Sequence, residues 1–208
     1  MSSPPSEPKA EGPQPPPEHR ELMRQAIEAD GAGQRALLAG DQRAARAAFA
    51  KAAALYRRSW EQAPPASYGR LVGMLKSALL AGSPDEAAAY ARAALSPQEA
   101  ERSAVAAYAL ALAALIEDDE TMAAHWAERM REGNSEALAR TARAIAALAR
   151  REPSAYAEAV RAIVRDFEGR DQHLTGVAIA DTAVMLQRLA AARGIAVTLS
   201  SPLLPTTT

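Results

Sequence analysis

The 208 residues carry 24 Lys and Arg against 25 Asp and Glu, a formal net charge of −1, and no cysteine. Mixed, near-neutral charge leaves no basic footprint for nucleic acid, and the lack of cysteine excludes disulfides, thiolate nucleophiles and zinc–sulfur sites. Hydrophobic residues make up 49% of the chain, aromatics only 4% and alanine about a quarter, a composition that favours helices over strands and predicts an all-α protein.

Residues 1–17 hold seven of the fourteen prolines and almost nothing apolar. Such a stretch buries too little surface to offset its ordering entropy, so it is predicted to be a disordered proline-rich tail, with a docking peptide as the alternative. Met1 to Pro5 has neither a basic nor an apolar leader segment, which predicts no secretory signal. The longest apolar run, Ala104 to Ile116, is thirteen residues, too short to span a bilayer. A cytoplasmic protein is expected, with one helical domain over 18–208.

From Glu18 onward, periodicity and turn residues predict helices at 18–39 (with a possible break at Gly31–Gly33), 42–62, 66–81, 84–95, 98–116, 119–132, 135–150, 153–168 and 179–193. Ser83-Pro84-Asp85-Glu86 and Ser96-Pro97-Gln98-Glu99 read as capping boxes, and Asp41 and Asn134 as N-caps. Connections of two to four residues make sequential helices antiparallel neighbours. Tyr56 and Trp60, near the end of the second helix, are expected to cover the N-terminal edge. Gly194 is expected to stop the last helix, and residues 195–205 to fold back as a clip, making 179–208 a C-terminal cap.

A pattern recurs across the hairpins. Ala39-Gly40-Asp41 precedes Ala45, Phe49 and Ala52; Ala81-Gly82-Ser83 precedes Ala87, Ala91 and Ala94; Glu117-Asp118-Asp119 precedes Ala123, Ala127 and Met130; Arg151-Glu152-Pro153 precedes Ala157, Arg161 and Val164. Positions 45, 87, 123 and 157 are 42, 36 and 34 residues apart. Over about residues 26–168 this resembles the tetratricopeptide repeat, a 34-residue helix pair with small residues where its helices touch. The first unit matches best, through Gly33, Gly40, Ala45, Phe49 and Ala52; the second lacks the aromatic, and the last two keep only spacing and pairing. The resemblance implies antiparallel hairpins stacked as a right-handed array with a C-terminal capping helix. A plain helical bundle is the alternative.

The strongest local anomaly is the polar stretch from Asp166 to Gly176, followed by Asp181. One reading is a polar pocket using Glu168, Asp171 and His173 as metal ligands or acid–base groups; the other is a charged connection with Asp181 as an N-cap or surface residue. At least Arg170 or Asp171 is expected to be paired and to order the loop, leaving His173 facing a partner. Trp126 reads as core and His125 as surface. Glu117 to Glu120 is an acidic run at a helix start and lacks the central glycine of a calcium loop. No phosphate-binding loop, nucleophile elbow or zinc-protease helix occurs.

Arg70, Lys76, Arg102, Arg140 and Arg143 fall on first helices of the hairpins, which in tetratricopeptide proteins line the groove, so the resemblance implies contact with an acidic peptide. The asparagines of that family's carboxylate clamp are missing, and a solvated face explains the same residues. The leading expectation is a non-enzymatic protein–protein interaction module with no cofactor, no nucleic-acid or membrane partner, and another protein or peptide in its groove. One alternative is a small-ligand or metal-binding protein, or an enzyme, with a polar site around 166–181. The other is a toxin-neutralising or regulatory protein dedicated to one partner. A raised carboxylate pKa in a convergent pocket favours the small-ligand alternative.

Overall fold

The computed structural model describes residues 17–206, so the tail predicted for 1–17 lies, apart from Pro17, outside the described residues. Those residues form ten helices and no strand: α1 (Glu18–Leu38), α2 (Gln42–Glu61), α3 (Gly69–Ala81), α4 (Asp85–Ala94), α5 (Pro97–Arg102), α6 (Ala104–Ile116), α7 (Glu120–Arg131), α8 (Glu136–Ala149), α9 (Pro153–Glu168) and α10 (Asp181–Ala192). Each of α1–α2, α2–α3, α6–α7, α7–α8 and α8–α9 packs as neighbours, and α3, α6 and α8 also touch across the hairpins.

Local chemistry sets the boundaries. Asp41 caps α2 through the Ala44 amide, and the capping box at Ser96 and Glu99 forms in both directions. The single helix expected over 98–116 is two helices, because Ser103 is extended (φ −139°, ψ 114°) and its hydroxyl caps α6 at Ala106. Two predicted caps move by one residue or more. Ser83 makes no cap, α4 starting at Asp85 behind Pro84, and Ser135 rather than Asn134 caps α8. α1 runs unbroken through Gly31 and Gly33.

Four hairpin turns share one construction. Gly40, Gly82, Asp118 and Arg151 have φ of +79°, +89°, +57° and +52°. The amide after each, at Asp41, Ser83, Asp119 and Glu152, donates back to Ala36, Ala78, Ala114 and Ala147 at 2.8–3.2 Å. This is the helix-ending motif in which a left-handed residue lets the chain satisfy orphan carbonyls. Counting from the left-handed residue corrects the register of the last unit. The position five residues on is Ala45, Ala123 and then Tyr156, not Ala157; after Gly82 the helix starts one residue later, and Ala88 and Ala91 are buried where Ala87 and Ala94 are not. Tyr156, Val160 and Ile163 are buried, whereas Arg161 is exposed. An arginine in a left-handed turn gives no sequence signal comparable to glycine.

Small residues decide the closest approaches. A Cβ on Gly33 would lie 2.8 Å from the Phe49 ring, and one on Gly73 would lie 2.8 Å from the Tyr56 ring. Tyr56 is therefore not an edge cover: it is fully buried between α2 and α3. Trp60 is only partly buried and lies 6.0 Å from Tyr68, centroid to centroid. Helix α6 is apolar nearly all round, with ten of its residues buried, and forms the centre of the core.

Helix α10 does not sit only on the last hairpin. It packs against α3, α8 and α9, along the side where α3, α6 and α8 meet. Arg188 donates to the carbonyls of Leu79 and Leu80 at the end of α3, the latter at 2.6 Å. Arg193, whose side chain is 3% exposed, reaches the Leu115 carbonyl and the Asp118 carboxylate at the end of α6. Both use arginine to satisfy carbonyls at a helix C-terminus, where positive charge is favoured. Beyond Gly194 (φ +69°) the chain turns back: Val197 pairs with Gln187, the Leu203 carbonyl accepts from the Ala180 amide, and Ser201 donates to Glu168.

Candidate functional site

The first turn of α10 completes the wall of a partly open cavity of about 280 Å³ between α1, α2, α3, α6, α8, α9 and the 169–180 connection. Its apolar wall includes Met23, Val72, Ile163, Val177 and Ile179; its polar lining includes Asp30, Gln34, Tyr56, Lys76, Tyr108, Arg140, Asp166, Arg170, His173, Thr175, Asp181 and Thr182. A cavity this size lies just below the usual range for ligand sites, about 300–1,000 Å³.

Two charged clusters line it. In the first, Lys76 Nζ donates to Asp181 Oδ2 at 2.7 Å and to Thr182 Oγ1 at 3.1 Å. The Lys76 and Asp181 side chains are 19% and 16% exposed. Asp30, 8% exposed, receives a long hydrogen bond of 3.4 Å from the Tyr56 hydroxyl and has no ion-pair partner among the described residues. In the second cluster Arg140 and Arg170 both clasp Asp166, and the Arg170 guanidinium lies 3.8 Å above the Phe167 ring. Across from them Thr175 donates to Gln34, and a Cβ on Gly31 would meet Thr175 at 3.2 Å, so α1 and the connection touch directly.

Burial shapes the protonation of the first cluster. Desolvation pushes the Asp30 pKa up to about 6; Asp181 adds to this, while Lys76 and the Tyr56 hydrogen bond oppose it. Burial would lower the Lys76 pKa, but Asp181, Tyr108 and Asp30 together hold it above the ordinary lysine value. Burial pushes Tyr108 up to about 12 and raises Tyr56 as well, the latter with the help of Asp30. The Tyr108 hydroxyl, buried beside Thr182, has no partner in good hydrogen-bond geometry, and neither has His173 Nδ1. A buried hydroxyl left unpaired costs about 1–3 kcal/mol, so this cavity holds unmet hydrogen-bonding capacity.

The residues expected from sequence are dispersed over several settings. Arg170, His173, Asp181, Lys76 and Arg140 converge on the cavity. Arg170 orders the connection by pairing with Asp166. Glu168 faces outward and accepts from Ser201 at 2.7 Å, while Asp171 and Arg143 are exposed. Arg70 donates to Ser59 at 2.8 Å and lines a separate depression with Arg102. Glu168, Asp171 and His173 are not gathered as a ligand set; among the described residues no three His, Asp or Glu side chains are grouped to hold a metal ion. His125 is half exposed beside buried Trp126 and is 3.3 Å from Glu101.

Asp30, Tyr56 and Tyr108 were not singled out as site residues from the sequence. For Asp30 a signal exists: Leu22, Ala26, Ala29, Gly33 and Leu37 form the buried stripe of α1, and Asp30 falls within it, four residues after Ala26. An acidic residue on the apolar stripe of a helix marks a buried charge needing a partner. Tyr108 sits in an all-apolar helix and looks like ordinary core. No helix of the described residues is long and apolar enough to cross a membrane. No protein-family model matches the chain, and neither a curated protein nor a solved structure shows significant similarity to it.

Proposed function

We propose that this chain is a helical-hairpin protein that binds a small polar molecule in the cavity that the first turn of α10 completes. The observation that carries the reading is the convergence of Asp30, a buried carboxylate without an ion pair, and Tyr108, a buried hydroxyl beside Thr182 without a well-formed hydrogen bond, on one small cavity. The side where a tetratricopeptide groove would receive a peptide is taken by α10, whose Arg188 and Arg193 engage α3 and α6. Lys76 and Arg140 are tied to the chain's own Asp181 and Asp166. The test is native mass spectrometry of the full chain after incubation with the low-mass fraction of a cell extract. A retained adduct is expected, weakened in Asp30→Asn and Tyr108→Phe; no adduct, or one indifferent to both changes, overturns the reading.

The hairpins themselves we take as degenerate tetratricopeptide-like units. Supporting this are the four equivalent left-handed turns and the Gly33–Phe49 contact. The interaction-module reading keeps one specific support: Leu174, 74% exposed, stands among the cavity-lining residues beside His173. A partner protein docking over that mouth would cover it. Leu174→Asp abolishing co-purification of a partner while leaving small-molecule retention intact would favour that second reading.

A further inference from the structure

The two charged clusters of the cavity have opposite net charge. Asp30 and Asp181 against Lys76 leave one negative charge at the more buried end. Arg140 and Arg170 against Asp166 leave one positive charge at the more accessible end. Glu136 is 3.9 Å from Arg140 but 83% exposed, so solvent screens it. No hydrogen bond or ion pair links the clusters. A ligand with a single charge would satisfy one end and leave the other unbalanced; a neutral polyol would engage neither.

We propose, building on the small-ligand reading above, that the cavity takes a small amino acid zwitterion, its ammonium against Asp30 and its carboxylate toward Arg140 and Arg170. The ammonium supplies the cation Asp30 lacks, and the Tyr108 hydroxyl, which lies beside Thr182 without a well-formed hydrogen bond, is a hydrogen-bonding group for the ligand's polar body. The volume, about 280 Å³, is small for a ligand site, which suits compounds of the size of glycine, serine, glutamine or 4-aminobutanoate. The charge arithmetic also explains specificity. Removing the ammonium leaves Asp30 uncompensated, and removing the carboxylate leaves the arginine pair with one carboxylate between two cations.

Isothermal titration of the full chain with those four compounds, with the N-acetylated and the amidated forms of each, and with erythritol tests the proposal. At least one free amino acid is expected to bind, with its N-acetyl and amide forms at least tenfold weaker and erythritol silent. Asp30→Asn should weaken the free amino acid at least tenfold, and Arg140→Lys, which keeps the charge, should weaken it less than Arg140→Gln; circular dichroism establishes that each variant is folded. Affinity should fall as pH drops below 6, because Asp30, faced by Tyr56 from α2, Lys76 from α3 and Asp181 from α10, then takes up a proton. Equal binding of blocked and free forms, binding of erythritol alone, or no binding of any probe while the extract still yields an adduct overturns the zwitterion and leaves the small-ligand reading standing. No binding by any probe and no adduct overturns both.

Discussion

Replacing Gly33 by alanine tests the register of α1 on α2 through one contact. A methyl on Gly33 would lie 2.8, 2.8 and 2.9 Å from three atoms of the Phe49 ring, well inside normal carbon–carbon contact at about 3.5–4.0 Å. Phe49 is wholly buried and cannot swing into solvent, so the helices must separate or the ring must leave its rotamer. Overpacking of this kind costs about 1–3 kcal/mol. Against it stands the helix-propensity gain of alanine over glycine, about 1 kcal/mol in a helix interior. The net expectation is destabilisation of up to about 2 kcal/mol, or a melting temperature lowered by up to roughly 8 °C at ~2–4 °C per kcal/mol for a chain of this size. Thermal melts of wild type, Gly33→Ala, Phe49→Leu and the double variant form the cycle. Phe49→Leu is destabilising alone, and the methyl should be tolerated better beside leucine than beside phenylalanine. If Gly33→Ala raised stability by the full propensity gain, the ring would not lie on that glycine, and the pairing of α1 with α2 described above would be refuted.

Three further outcomes are expected. Arg151→Gly should stabilise by about 0.5–1 kcal/mol in chemical denaturation, because Arg151 holds φ +52° and its exposed pair with Glu120 is worth little; destabilisation would mean the pair outweighs the left-handed strain. Asp30 has a folded pKa of about 6 against an ordinary 3.8, so the native state binds this proton more tightly than the unfolded chain. Its burial is therefore neutral below about pH 4 and destabilises increasingly as pH rises through 6, by about 3 kcal/mol in total at 1.36 kcal/mol per pKa unit. The stability of Asp30→Asn relative to wild type should accordingly rise between pH 4 and 7 in a series of melts, and a pH-independent difference would contradict a charged Asp30 in the cavity. Lys76→Met should cost about 2–4 kcal/mol by stranding Asp181, and Lys76→Met with Asp181→Leu should recover most of it; a double variant as unstable as the single one would place the loss elsewhere.

Helix positions were legible because their signals are local. Ser96 with Glu99, Asp41 after Gly40, and Gly194 after the last apolar turn each act within four residues. Where local signals compete, the boundary slipped: Asn134 and Ser135 are both good N-caps, and only packing chooses between them. The break at Ser103 was hidden because good helix formers flank it, Gln98 to Arg102 on one side and an alanine-rich run on the other, while the hydroxyl's cap of Ala106 needs the extended backbone to be seen. The cavity was illegible for a different reason. Lys76 meets Asp181 across 105 residues and Thr175 meets Gln34 across 141, and no periodicity states which helix face a distant segment will cover. The polar stretch at 166–176 did announce Asp166, Arg170, His173 and Thr175 of the lining; Asp30, Tyr56 and Tyr108 did not stand out, because their neighbours in sequence are ordinary core.

In a linear stack of helical hairpins each unit answers only to its neighbours, so units can be added or lost during evolution at the expense of one interface. The reach of α10 removes that freedom here. Its Arg188 is anchored at the end of α3, its Arg193 at the end of α6, and its first turn at Lys76. Inserting one hairpin between α4 and α6 would pull the α3 anchors away from the α6 anchor by the width of a helix pair, and a rigid twelve-residue helix cannot stretch to follow. The C-terminal helix thus works as a ruler that fixes how many hairpins this chain holds, and related chains with one hairpin more or fewer should have lost the arginines at positions 188 and 193 together.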